Sequence, residues 1–162
     1  MNDELIDLLR CPRCRGALET QAQAVPPALL CRGCGTSYPV VNGVPRLAGE
    51  GYVESFGRQW NRYDVARDEE DEATFAVKTG VEPRDLAGRL VLDAGCGGGR
   101  YARLVGRAGA KLVGVDLSAA VEKAATLCAD LPNVAIVQAD LLNLPLAERA
   151  FDLVFSIGVL HH

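Results

Sequence analysis

The chain has 162 residues, 49% apolar and 23% charged, the balance of a folded globular protein of one domain with room for a small addition. A formal net charge of -4 weighs against non-specific nucleic-acid binding, which needs cations opposite phosphates. No run approaches the ~18 apolar residues of a membrane span, and the acidic start Met1-Asn2-Asp3-Glu4 lacks the parts of a secretory signal, so the expected location is the cytoplasm.

Three zones follow one another: 1–49, 50–87 and 88–162. In the first, Leu5, Leu8 and Leu9 fall at helical spacing behind Asn2 and Asp3 as cap candidates. Four of the six cysteines stand in two pairs, Cys11-Pro12-Arg13-Cys14 and Cys31-Arg32-Gly33-Cys34, with sixteen residues between them. Each CxxC forms a tight knuckle with both sulfurs on one side. Two knuckles close a cage of four thiolates with no open position, the structural type of zinc site. Gly16 and Gly35 are expected to let backbone N–H groups approach the sulfurs. A rubredoxin-like iron site and a redox or disulfide role are the alternatives. About 50 residues build little core, so a metal is expected to supply the stability, as a folding staple or also as a docking surface. Tyr38-Pro39-Val40-Val41-Asn42-Gly43-Val44-Pro45 reads as a hairpin, because Asn-Gly tolerates positive φ at both turn positions. With Leu8-Leu9-Arg10 ahead of the first knuckle, this zone resembles the zinc-ribbon family of tRNA-methyltransferase activator subunits. The resemblance covers about a quarter of the chain. It implies a ribbon that binds and stabilises a methyltransferase, here fused in the same chain, and leaves a further protein partner possible through the ribbon.

The second zone is aromatic and acidic. Phe56, Trp60 and Tyr63 share a helical face, which either packs on the following domain or forms a lid over its ligand. The run 68–72 reads as a solvated acidic face.

In the third zone, strands are expected at 90–93, 111–116, 134–137 and 151–157, with helices at 99–107 and from Ser118 to about Cys128. The strands are uniformly apolar, as parallel strands covered on both faces are. The fold class is therefore α/β, with a Rossmann-like parallel sheet behind the small ribbon.

The chemistry concentrates in Val91-Leu92-Asp93-Ala94-Gly95-Cys96-Gly97-Gly98-Gly99-Arg100, a buried strand that ends in an acid and turns through glycines into a helix. Gly95, Gly97 and Gly99 allow main chain to approach a ligand where a Cβ would collide. Nicotinamide enzymes share such a loop, but the third glycine of GxGxxG would fall on Arg100, and Asp93 would repel a pyrophosphate while meeting a cationic ligand. Further on, Asp116-Leu117 ends the next strand, where a carboxylate accepts ribose hydroxyls. Asp140-Leu141 is placed for an adenine amino group and its ring, and Ser156 lies at the end of the fourth strand. Asp152 reads as a structural turn residue.

Taken in order, these marks resemble the class I S-adenosylmethionine (SAM) dependent methyltransferases, closest to bacterial members with a fused zinc ribbon. The resemblance implies cofactor contacts from Asp93, Gly95, Gly97, Asp116 and Asp140; Cys96, Gly99, Leu117, Leu141 and Ser156 are expected beside them in the site, and Cys11, Cys14, Cys31 and Cys34 are the expected zinc ligands. The acceptor, whether small molecule, glycan, protein or RNA, stays open, and no catalytic base is assigned. His161 and His162 read as a frayed end or as acceptor-side residues. The family has seven strands and four are recognised here, so a fragment of a longer enzyme is expected. The alternative is a non-catalytic activator carrying an incomplete SAM domain.

Overall fold

The computed structural model describes residues 3–21, 23–48 and 68–159. The aromatic face of Phe56, Trp60 and Tyr63, the border at residue 49 and the terminal histidines lie outside these residues.

The N-terminal unit opens with helix α1 (Asp3–Ile6) and continues as four antiparallel strands in chain order: β1 (Leu18–Gln21), β2 (Ala28–Cys31), β3 (Ser37–Val41) and β4 (Val44–Pro45). The β3–β4 hairpin turns at Asn42 and Gly43 with φ of 52° and 78°. Two positive values define the primed turn whose twist matches that of the flanking strands, the reason Asn-Gly stands there.

The C-terminal unit is α/β. Helix α2 (Asp68–Thr79) and a 3₁₀ turn (Pro83–Leu86) precede β5 (Leu90–Ala94); then come α3 (Arg100–Arg107), β6 (Lys111–Asp116), α4 (Val121–Leu127), β7 (Val134–Gln138) and β8 (Leu153–Phe155). The strands are parallel in the order β7-β6-β5-β8. The chain moves outward from β5 to β7 and then returns to pair β8 on the other side of β5. That reversal opens a crevice at the carboxyl ends of β5 and β8, where open α/β sheets bind ligands. β8 is three residues long, shorter than its apolar sequence suggested, and Asp152 explains its start: its Oδ2 accepts Leu90 N–H at 2.8 Å, pinning β8 to β5 as a structural residue.

One sheet face is covered by α2, α3 and α4. Phe75 of α2 is wholly buried and meets Phe155 edge-on, ring centroids 5.1 Å apart. On that helix the expected solvated acidic face fails at Asp71, which is 2% exposed and ion-paired with Arg100 at the start of α3. Burial of Phe75 turns this side of α2 toward the sheet and carries Asp71 inward, where the arginine compensates it.

The other face is covered by the N-terminal unit. Leu5, Leu9, Leu29 and Leu47 share one buried cluster with Val113, Val115, Val137 and Leu146. The chain after β4 runs beside β7: Leu47 and Ala48 both donate their N–H to Gln138 O, at 2.8 and 3.1 Å. A flank of the sheet that would otherwise present unpaired backbone is thus covered by the ribbon. The two units meet through core and main-chain hydrogen bonds together.

Candidate cofactor site and cysteine cluster

The glycine loop leaves β5 at the crevice. Gly95 has φ 93°, and a Cβ there would stand 2.3 Å from Val159 Cγ2. Gly97 has φ 49° with nothing within 4 Å of where its Cβ would be, so the main chain is bare toward open space. Gly99 differs, because its Cβ would lie 2.8 Å from Ala124 Cα; its missing side chain serves the packing of α3 on α4. Cys96 turns its thiol into the core beside Gly114, where burial raises its pKa well above the ordinary value, leaving it a protonated packing group.

Asp93 is the anomaly of the site. It is 2% exposed, and among the described residues its Oδ2 is the buried side-chain oxygen or nitrogen that has no hydrogen-bond partner. Burial, and secondarily the charge of Asp116, push its pKa up to about 8. A buried carboxyl without a donor is costly, and a cation delivered to it would relieve the cost and restore the carboxylate.

Asp116 ends β6 and knits the site. Its Oδ2 accepts Gly97 N–H at 2.8 Å, while Oδ1 accepts the N–H and Oγ–H of Ser118 at 2.8 and 2.7 Å. A carboxylate has about four acceptor positions, so about one remains beyond these three. Asp140 caps a 3₁₀ turn (Leu141–Asn143) through Leu142 N–H at 2.9 Å, and Leu141 packs partly against the ribbon-side cluster. Ser156 donates Oγ–H to Ala94 O at 2.7 Å, tying the end of β8 to that of β5. The glycine loop, Asp116 and Ser156 therefore share the carboxyl ends of three neighbouring strands, with Asp140 following the fourth.

Residues that composition and motif did not reveal complete the surroundings. Gln138 is buried; its Nε2 donates to Leu117 O at 3.0 Å and its Oε1 accepts from Arg46 Nη1 at 3.0 Å. Arg46 also pairs with Glu122 on α4. The one sequence signal for Gln138 is a polar residue closing an otherwise apolar strand. Between ribbon and sheet lies a cleft of about 840 Å³ reached by Arg13 and Tyr38 from one side and by Gln138, Asp140 and Asn143 from the other.

The four cysteine sulfurs lie within 4.8 Å of one another. Cys11 Sγ is 3.7 Å from Cys34 Sγ and Cys14 Sγ is 3.4 Å from Cys31 Sγ. Disulfides would need about 2.05 Å, whereas tetrahedral zinc with Zn–S of about 2.3 Å places sulfurs about 3.8 Å apart. The donor set and spacing therefore fit zinc. Tyr38 Oη is 3.1 Å from Cys11 Sγ, and Gly33 N–H donates to Cys31 Sγ at 3.3 Å. Cys34 is held down to about 6 by the Thr36 hydroxyl beside it. Gly16 and Gly33 crowd the sulfurs, with would-be Cβ atoms at 3.1 Å from Cys31 Sγ and 3.2 Å from Cys14 Sγ; the N–H of Gly35, expected to approach a thiolate, donates instead to Cys31 O at 3.0 Å in a turn at φ 71°.

Residues 92–162 match the family described as methyltransferase domain, and residues 2–43 match the family described as Trm112p-like protein. The chain joins a Trm112p-like unit to a methyltransferase domain. A tRNA U34 carboxymethyltransferase of Methylococcus capsulatus is 43% identical over 82 residues, covering 48% of this chain and 25% of that protein. A ubiquinone biosynthesis O-methyltransferase of Ralstonia nicotianae is 38% identical over 80 residues, covering 48% of this chain and 34% of that protein. The matches thus span a quarter to a third of the length of these relatives. A SAM-dependent methyltransferase structure from Aquifex aeolicus aligns at TM-score 0.51 and 21% identity, over 64% of this chain and 57% of that one, a likeness of fold. The expected α/β class is therefore what the methyltransferase domain has, with the Trm112p-like unit on one face of its sheet. No helix among the described residues is long and apolar enough to cross a membrane.

Proposed function

We propose that this chain binds SAM at the carboxyl ends of β5, β6 and β7 and serves transfer of its methyl group, with structural zinc on Cys11, Cys14, Cys31 and Cys34. The observation that carries the reading is Asp93, a buried acid with an orphaned oxygen and a raised pKa on the strand that leads into the bare main chain at Gly97. An ammonium group supplies what that oxygen lacks; a pyrophosphate supplies the opposite.

Asp93 and the main chain at Gly95 and Gly97 would hold the amino-acid end, Asp116 the sugar hydroxyls, and Asp140 with Leu141 the adenine. SAM supplies a sulfonium-activated methyl group. The chain's part is to fix orientation and keep water out, and orientation of this kind contributes roughly 7–11 kcal/mol to such reactions. A proton acceptor matters only where the acceptor atom must lose a proton early. The two relatives named above differ in the acceptors their names point to, and each matches 48% of this chain. The acceptor kinds their names suggest, a tRNA uridine and a quinone precursor, are the first to assay.

The ribbon's apolar face is buried against β6 and β7 of its own chain. That supports an intramolecular role for the Trm112p-like unit over recruitment of a separate methyltransferase. Calorimetric titration of the zinc-loaded chain with S-adenosylhomocysteine and, separately, with NADH tests the reading. Heat with the first and none with the second is expected; the reverse would replace SAM by a nicotinamide coenzyme. Cobalt substitution giving tetrahedral thiolate absorption would support the metal assignment, and four freely titrating thiols after zinc loading would refute it.

A further inference from the structure

Arg15 follows the first knuckle and holds φ of 63°, a left-handed conformation that suits glycine and strains a residue with a Cβ. The knuckle closes by main chain alone, Arg15 N–H donating to Cys11 O at 2.8 Å, and gives no reason for an arginine. The guanidinium gives one. Nη1 donates to Leu144 O at 2.6 Å and Nη2 to Leu146 O at 2.8 Å, across 129 and 131 residues of sequence.

The same loop is held at neighbouring points. Asn143 Nδ2 donates to Pro12 O at 3.1 Å, inside the knuckle. Arg10 N–H donates to Pro145 O at 2.7 Å, and Ala147 N–H to Leu8 O at 2.8 Å. These bonds run from the residues around Cys11 and Cys14 to the segment that begins with Asp140 and Leu141. The near end of that segment is fixed by β7, its far end by the knuckle.

We propose that Arg15 is a positioning residue for the adenine side of the cofactor site, and that through it metal in the cysteine cluster and nucleoside in the crevice are coupled. The inference rests on the cofactor reading above. A metal-locked knuckle presents Arg15 and the Pro12 carbonyl at fixed places; the loop settles on them; Asp140 is thereby aimed. Linkage is reciprocal, so bound nucleoside tightens metal by the factor that metal tightens nucleoside.

The test uses the full chain, zinc-loaded, as wild type, Arg15→Gly and Arg15→Lys. Glycine suits the backbone at this position, so the first variant removes the guanidinium without adding strain. Affinities are measured for S-adenosylhomocysteine and for its hypoxanthine analogue, S-inosylhomocysteine. Zinc affinity is measured by chelator competition with and without S-adenosylhomocysteine. The expected result is that Arg15→Gly keeps its zinc but binds S-adenosylhomocysteine about tenfold more weakly, that its preference for adenine over hypoxanthine collapses, and that the ligand no longer tightens zinc. Arg15→Lys, with one donor group, should fall between. An unchanged adenine preference in Arg15→Gly would overturn the proposal, and so would a parallel loss for both ligands together with zinc. Failure of the wild type itself to bind S-adenosylhomocysteine would instead remove the cofactor reading beneath it.

Discussion

Asp93 is a buried acid held away from its ordinary ionisation. Its native pKa, about 8, lies above the ordinary value of 3.8, so between those limits the folded chain holds a proton that the unfolded chain has lost. Stability of the ligand-free protein should therefore fall as pH rises from about 4 to about 8 on this residue's account, and Asp93→Asn should flatten that slope in thermal unfolding. The glycines separate by role. Gly97→Ala should fold, at a left-handed penalty of about 1–2 kcal/mol, yet lose S-adenosylhomocysteine binding, because on the proposed reading the ligand would occupy the open space over that residue. Gly99→Ala meets Ala124 backbone and should cost stability first, read as a lower denaturation midpoint. At this scale the sequence was informative where a residue's neighbours in the chain define its job. An acid closing a buried strand before glycines, and two CxxC pairs, are of that kind. Arg15, Asn143 and Arg46 were silent, because their partners lie 76 to 131 residues away and nothing local marks them.

At the scale of elements, apolar runs and turn residues placed most of the parallel sheet and the Asn42-Gly43 hairpin. β6 matches its expected bounds, since Lys111 and Asp116 mark its ends. β8 came out shorter because pairing to β5 spans only residues 153–155; apolar content alone does not set pairing length. Asp71 departs from the solvated face expected of 68–72, because its burial depends on Arg100 across a helix contact that no periodicity displays. The contact between ribbon and sheet was legible only through family resemblance, and its register only from structure. Its energetic weight falls on residues such as Leu9, 1% exposed and lodged in the cluster shared with the sheet. Leu9→Ala should lower unfolding free energy by about 2–5 kcal/mol, measured by chemical denaturation, and should loosen both units. Were the ribbon merely tethered, only its own signals would change.

The whole molecule behaves, on this account, as one cooperative body. The described ribbon strands and the parallel sheet share a core, and Lys111 reaches Glu4 of α1 at 2.5 Å across the same boundary. Zinc removal by a chelator should therefore depress the melting temperature of the sheet as well as the ribbon, within a single transition. Two separated transitions, with the sheet's unmoved, would show that the metal stabilises the ribbon alone.

Proton release on ligand binding tests the central claim most directly. With a pKa of about 8, Asp93 is mostly protonated at pH 7, and an ammonium seated against it should drive the proton off. Titrations of S-adenosylhomocysteine in buffers of different ionisation heat should give about one proton released per ligand, and Asp93→Asn should abolish the release while weakening binding. Binding with no proton released, or with release and affinity unchanged in Asp93→Asn, would contradict the claim that this buried acid grips the cofactor.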